Sequence, residues 1–249
     1  MSAAREFAIA LLLMSRLPVR LSGDIGREEQ ARSVAWYPVV GLVLAVLLIA
    51  VVGLLNWLML PAAVTAALIL GVWVALTGAL HLDGVADSAD AWLGGGGDRE
   101  RSLRIMKDPA CGPAGVVALV LLLLLKFSLL TALLDGGDWL PALLLAPILA
   151  RAGCSALFLT LPYVRANGLG AAGGETPPHR LGWWMIGLSA VVALLTGLSG
   201  LVALSFAVLG FLALRTCLER WLGGFTGDTA GLTTEKLEAV VLFAVVLMQ

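Results

Sequence analysis

Long apolar runs alternate with short polar ones from one end of the chain to the other. Six runs approach or exceed the roughly 20 residues that a helix needs to cross a bilayer. They cover residues 34–57, 62–82, 116–134, 140–161, 183–201 and 202–221. Only a glycine-containing stretch at 197–200 separates the last two, so their boundary is soft. Two shorter runs lie at the ends: 7–19, which contains Arg16, and the ten residues 239–248. Each suits a tilted span, a half-span or an interfacial helix. The pattern predicts an all-α fold: a polytopic integral membrane helical bundle with six firm and up to eight membrane segments, in a single domain over residues 1–249.

Charge placement supports this reading. Of the 16 basic residues, all but Arg5, Lys126 and Arg151 fall in alternate loops. The positive-inside rule sets those loops in the cytoplasm. The same side carries the long loops and every polar cluster, so a polar site is expected there. Composition agrees: 60% hydrophobic and 13% charged residues leave too little polar surface for a water-soluble domain. A net charge of −1 excludes a basic nucleic-acid footprint. Three dispersed cysteines form no CxxC motif or disulfide framework, and two histidines argue against a His-based zinc site. P-loop, Rossmann and nucleophile-elbow motifs are absent.

The segment His81-Leu82-Asp83-Gly84-Val85-Ala86-Asp87-Ser88-Ala89-Asp90 follows directly on an apolar run. Asp83, Asp87 and Asp90 stand at i, i+4 and i+7, on one face of a helix. Like charges at that spacing repel unless a cation lies between them. Carboxylate oxygens suit Mg²⁺, which takes one or two carboxylates together with substrate phosphates. The bland alternative is an acidic, solvated helix end. His81, two positions before Asp83, serves either a local polar role or a catalytic one.

A second cluster, Gly223-Gly224-Phe225-Thr226-Gly227-Asp228-Thr229, precedes Glu235 and Glu238. Its glycines allow close approach to a ligand, or simply make a turn with Asp228 near a helix start. Arg101 and Arg104 recur at helical spacing in 99–108, a basic helix for phosphate or for anionic headgroups. Lys126 and Arg151 lie mid-span, where a charge usually faces a cavity or a partner. They are expected to meet substrate phosphates or the acidic stripe. Arg165 stands in a polar turn, 163–170, as a further candidate phosphate ligand.

These residues together resemble the cobalamin-5′-phosphate synthase (adenosylcobinamide-GDP ribazoletransferase) family. The matching pieces are Ser15-Arg16-Leu17-Pro18-Val19, Trp36-Tyr37-Pro38-Val39-Val40-Gly41, Thr77 through Asp90, Arg99-Glu100-Arg101 and Ile105-Met106-Lys107-Asp108. Lys126, Arg151, Gly168-Leu169-Gly170 and Gly224 through Thr229 with Glu235 and Glu238 follow in order. Lys107, Pro109-Ala110-Cys111-Gly112-Pro113 and Ala91-Trp92 depart from the family's pattern, while both acidic motifs are intact.

The resemblance implies a membrane enzyme of late cobalamin biosynthesis, in the cytoplasmic (inner) membrane of a bacterium. The implied reaction joins adenosylcobinamide-GDP to α-ribazole, or its 5′-phosphate, and releases GMP with Mg²⁺ as cofactor. Asp83, Asp87, Asp90, Asp228 and Glu235 are then the expected metal ligands. Asp83, Asp87 or His81 would act in catalysis, and Arg101, Arg104, Lys126 and Arg151 would neutralise phosphate. Association as a homo-oligomer or with pathway enzymes is compatible with the sequence.

CDP-alcohol phosphotransferases and aspartate-rich prenyltransferases also use acidic stripes. The Asp-Gly-x-x-Ala-Arg pattern of the former is missing, and Thr226-Gly227-Asp228 poorly matches a second aspartate-rich motif of the latter. A transporter would show inverted repeats, and none is visible.

Overall fold

The computed structural model describes residues 2–165 and 170–249. Among them, twelve α-helices account for the fold and no strand occurs. They are α1 (Ala3–Met14), α2 (Arg27–Ser33), α3 (Tyr37–Asn56), α4 (Ala62–Thr77), α5 (Leu80–Gly95), α6 (Arg99–Ile105), α7 (Pro113–Gly136), α8 (Trp139–Thr160), α9 (Ala171–Glu175), α10 (His179–Leu195), α11 (Leu198–Leu222) and α12 (Gly227–Val246). A 3₁₀ turn, Val34–Trp36, joins α2 to α3. The helices stop where the sequence supplies stops. Gly137 and Gly223 end α7 and α11 in the left-handed conformation, and Pro113 opens α7.

Four helical stretches are long and apolar enough to cross a membrane: Arg27–Asn56, Pro113–Gly136, Trp139–Thr160 and Leu198–Leu222. A fifth forms only if α4 and α5 count together, and those two meet at a bend of 89°. By length and composition, four or five stretches meet this test, against the six firm spans expected from hydropathy. The run 62–82 is broken at Gly78 (φ 64°) and Ala79 (φ 56°), two successive left-handed residues that no helix continues through. The run 183–221 breaks at Gly197 (φ 77°), earlier than expected, which leaves α10 only 17 residues long. The 239–248 run, in turn, is the end of a helix that starts at Gly227.

The bundle is built around α8 and α12. Of the most apolar window of α8, 94% is buried. It packs on α3, α10 and α12, and α12 packs also on α5, α7 and α11. Leu143, Leu145, Leu149, Val241 and Leu242 form the centre of the largest apolar cluster. The outer helices reverse the pattern. α7 exposes Val117, Leu121 and Leu124, and α11 exposes Leu209 and Leu212. Apolar side chains pointing out of the bundle on long apolar helices match a hydrocarbon solvent. The chain is a multi-pass α-helical membrane protein.

Candidate active site

The elbow between α4 and α5 sets the site. Arg16 packs into it: a Cβ on Gly78 would lie 2.3 Å from the Arg16 side chain. The Arg16 amide also donates to the Leu76 carbonyl at 2.7 Å. Beyond the elbow, α5 lies backbone to backbone on α12. A Cβ on Gly84 would stand 2.4 Å from the Asp228 carbonyl oxygen, so only glycine allows this approach. The contact brings the first turn of α12 beside the acidic face of α5. Thr226 caps α12, its hydroxyl accepting from the Thr229 amide at 3.3 Å.

Asp83, Asp87 and Asp228 thereby come together. Asp83 is exposed, and the other two are half-buried. The Asp87 carboxyl is pushed up to about 6, first by burial and then by the negative charges of Asp83 and Asp228, while Arg165 opposes the shift. Burial also raises Asp228, again against the pull of Arg165. Among the described residues, Arg165 is the one basic side chain paired with this group: its Nη2 lies 3.0 Å from Asp228 Oδ2 and donates to the Met106 carbonyl at 3.3 Å. Three carboxylates against one guanidinium leave an excess of negative charge that a cation would relieve.

Among the described residues, no group of three or more His, Cys, Asp and Glu is placed so that it could hold a metal ion. Mg²⁺ does not require such a group. That ion keeps several waters and takes its remaining ligands from one or two carboxylates and substrate phosphates.

Beneath the carboxylates lies a cavity of about 200 Å³, lined by His81, Asp83, Arg165 and Asp228 on its polar side and by Phe158 and Tyr163 among its aromatic residues. His81 is 4% exposed, and neither ring nitrogen has a hydrogen-bond partner. A short bridge holds Arg165 in place. The Val164 amide donates to the Phe225 carbonyl at 2.9 Å, and the Phe225 amide to the Pro162 carbonyl at 3.0 Å. The Gly224–Thr229 turn and the Arg165 segment are thus one unit.

Other expected site residues lie elsewhere. Asp90 shares the α5 stripe, but its two carboxylate oxygens accept the amides of Gly112 (2.7 Å) and Gly115 (2.9 Å). It caps the start of α7. Arg101 and Arg104 sit exposed on α6, outside the lining of the cavity. Gly168 and Leu169 of the 168–170 motif fall outside the described residues.

Lys126 and Arg151 require a clearer correction. Neither reaches the acidic stripe. Lys126 Nζ lies 2.6 Å from Glu235 Oε2 and also contacts Glu238, which pairs with Arg151. All four side chains are at most 4% exposed. Lys126 also stands 4.8 Å above the Trp73 ring. Cations within apolar helices demand counter-charges, and α12 supplies them. Glu235, expected as a metal ligand, is therefore committed to a lysine. Arg165, by contrast, was visible in the sequence only as an arginine of a polar turn. No local spacing linked it to Asp228.

Comparison with known proteins agrees with the resemblance in the motifs. The family model described as cobalamin-5-phosphate synthase matches residues 6–246. A Pseudomonas fluorescens protein named adenosylcobinamide-GDP ribazoletransferase is 50% identical over 244 residues, covering 96% of this chain and 98% of that one. A Pseudomonas aeruginosa protein of the same name is 51% identical over 245 residues, covering 98% and 99%. No solved structure matches. With the match running almost end to end, the chain belongs to the cobalamin-5-phosphate synthase family.

Proposed function

We propose that this enzyme transfers the adenosylcobinamide-phosphate group of adenosylcobinamide-GDP to α-ribazole or its 5′-phosphate, with GMP as the leaving group. The observation that carries the reading is the meeting of Asp83 and Asp228 with Arg165 at one cavity, with Asp87 near enough to feel the charge of all three. A ribose hydroxyl of the acceptor attacks the phosphorus bonded to the cobinamide arm. The bond from that phosphorus to the bridging oxygen breaks, and GMP carries the oxygen away. The hydroxyl proton passes to a carboxylate of the cluster or to His81.

Asp83, Asp87 and Asp228 would hold Mg²⁺, which when bound offsets the charge of the diphosphate. Arg165, anchored by Asp228 and the Met106 carbonyl, is placed to donate to a phosphate oxygen. The rate then rests on positioning and charge stabilisation, and needs no strong base. The distribution of basic loops supports a mouth on the cytoplasmic side, and the family reading supports a bacterial inner membrane.

The test is nucleotide release by the full chain in detergent, supplied with adenosylcobinamide-GDP, α-ribazole and Mg²⁺. Ribazole-dependent GMP is expected, lost in Asp83→Ala and on chelation, and restored by added Mg²⁺. A folded preparation that forms no GMP, but releases CMP from a CDP-alcohol or diphosphate from a prenyl diphosphate, overturns the reading.

A further inference from the structure

We infer that the groove between α7 and α11 is a binding site for one anionic phospholipid, with an acyl chain along the groove and the phosphodiester met by Lys236 and Arg220. The groove shares no lining residue with the cavity below Asp83 and Asp228, so the inference goes beyond the proposed reaction and does not depend on it.

Side-chain spacing makes the walls. Pro113, Val117 and Leu121 recur every four residues on α7, and Leu214, Leu218 and Trp221 stand at i, i+4 and i+7 on α11. Each set forms one stripe along its helix. α5 and α12, packed on each other, supply the rest of the lining. The groove measures about 1110 Å³, above the roughly 300–1,000 Å³ of most small-molecule sites. Val117 and Leu121 are 56% and 63% exposed, on a helix apolar enough to face hydrocarbon. An acyl chain covers such walls, whereas water does not.

Charge selects the headgroup. Lys236 lines the groove from nine residues inside α12, is exposed, and forms no ion pair among the described residues. Asp90, the acidic residue of the lining, has its oxygens on the Gly112 and Gly115 amides. An unpaired ammonium beside hydrocarbon is costly until an anion meets it. The groove continues past Trp92 and Trp221, whose rings meet edge-on at 5.0 Å, into a recess lined by Thr216 and Arg220. Tryptophan favours the headgroup level of a bilayer. Arg220 is exposed as well, while its neighbour Glu219 is paired with Arg215. Two free cations and a tryptophan pair at the end of an apolar groove suit a phosphodiester above an acyl chain. Phosphatidylcholine brings its own cation beside the phosphate, so it gains less from them than phosphatidylglycerol does.

The experiment titrates the full chain, freed of lipid by detergent exchange, with phosphatidylglycerol or phosphatidylcholine and counts bound lipid by native mass spectrometry. Wild type is expected to hold one phosphatidylglycerol, preferred about tenfold or more over phosphatidylcholine. Lys236→Gln and Arg220→Gln should each cut that preference about fivefold. Val117→Trp, which fills the groove from an exposed position, should weaken both lipids. Arg180→Gln removes a charge outside the groove and should change nothing. Thermal melts establish folding, and the wild-type preference needs no variant.

Equal retention of the two lipids by wild type, or no retained lipid, overturns the inference. So does a preference that survives loss of both Lys236 and Arg220, or one that falls as far in Arg180→Gln. A lipid-free dimer that Val117→Trp dissociates would seat a second copy of the chain in the groove instead.

Discussion

Two groups of charged residues share α12 and behave oppositely. At its first turn, Asp228 meets Asp83 and Asp87 with Arg165 as counter-charge, half-open to a cavity. Two turns further on, Glu235 and Glu238 meet Lys126 and Arg151, sealed from solvent and matched two against two. The residue types are nearly the same. What separates them is balance and access. A closed set balances its own charge and pins α12 to α7 and α8, although Arg151 keeps Nε and Nη2 without hydrogen-bond partners. An open set with surplus negative charge is left for something else to satisfy. α12 thus links an anchored interior to the candidate site.

The largest expected effect is in the sealed group. Arg151→Met strands part of the negative charge of Glu238 in the interior and should cost about 3–5 kcal/mol of stability. Adding Glu238→Gln leaves the Lys126–Glu235 pair balanced and should recover most of that loss. Thermal unfolding in detergent measures both. A single variant that melts like wild type would erase the distinction between the two groups.

Next comes the open group. Asp228→Asn should lower GMP release about 10²–10³-fold, the range seen when a preorganised electrostatic contact is lost, while the melt hardly moves. Unfolding of this variant would mean that the first turn of α12 is structural as well. The joint between the groups can be tested directly with Gly84→Ala. The added methyl would meet the Asp228 carbonyl at 2.4 Å and push α5 off α12. A stability loss of about 1–3 kcal/mol is expected from such overpacking, together with reduced activity. Wild-type activity in a Gly84→Ala protein would show that the carboxylates do not need this close approach.

The sequence made some of this legible and hid the rest for physical reasons. Apolar run length located α3, α7 and α8 to within three residues at each end, because hydrocarbon solvent demands it. It ran past helix breaks because hydropathy does not register backbone conformation. Gly78 and Ala79 sit within a continuous apolar run, yet both are left-handed. The charges at Lys126 and Arg151 announced that partners were needed, but Glu235 lies 109 residues from Lys126 and only the packed bundle joins them. Arg165 escaped for the same reason. The aspartate stripe of α5 was legible as a helix face, whereas its division between two tasks was not.

That division gives the smallest prediction and the finest test. Asp90 stands seven residues from Asp83, so it shares the azimuth but lies about 10 Å further along the axis. There it meets the start of α7 and accepts the Gly112 and Gly115 amides. Removing a helix cap costs about 1 kcal/mol, so Asp90→Ala should lower the melting temperature modestly. With α7 still seated on α5, GMP release should stay within a few-fold of wild type. Asp90→Asn retains an oxygen acceptor for one amide and should fall between the two proteins in stability. A metal ligand would behave differently: both Asp90 variants would lose activity as Asp83→Ala does, and raising Mg²⁺ would partly restore Asp90→Asn. The melt and the Mg²⁺ titration together therefore decide whether the third aspartate of the stripe belongs to the open group or to the frame that holds it.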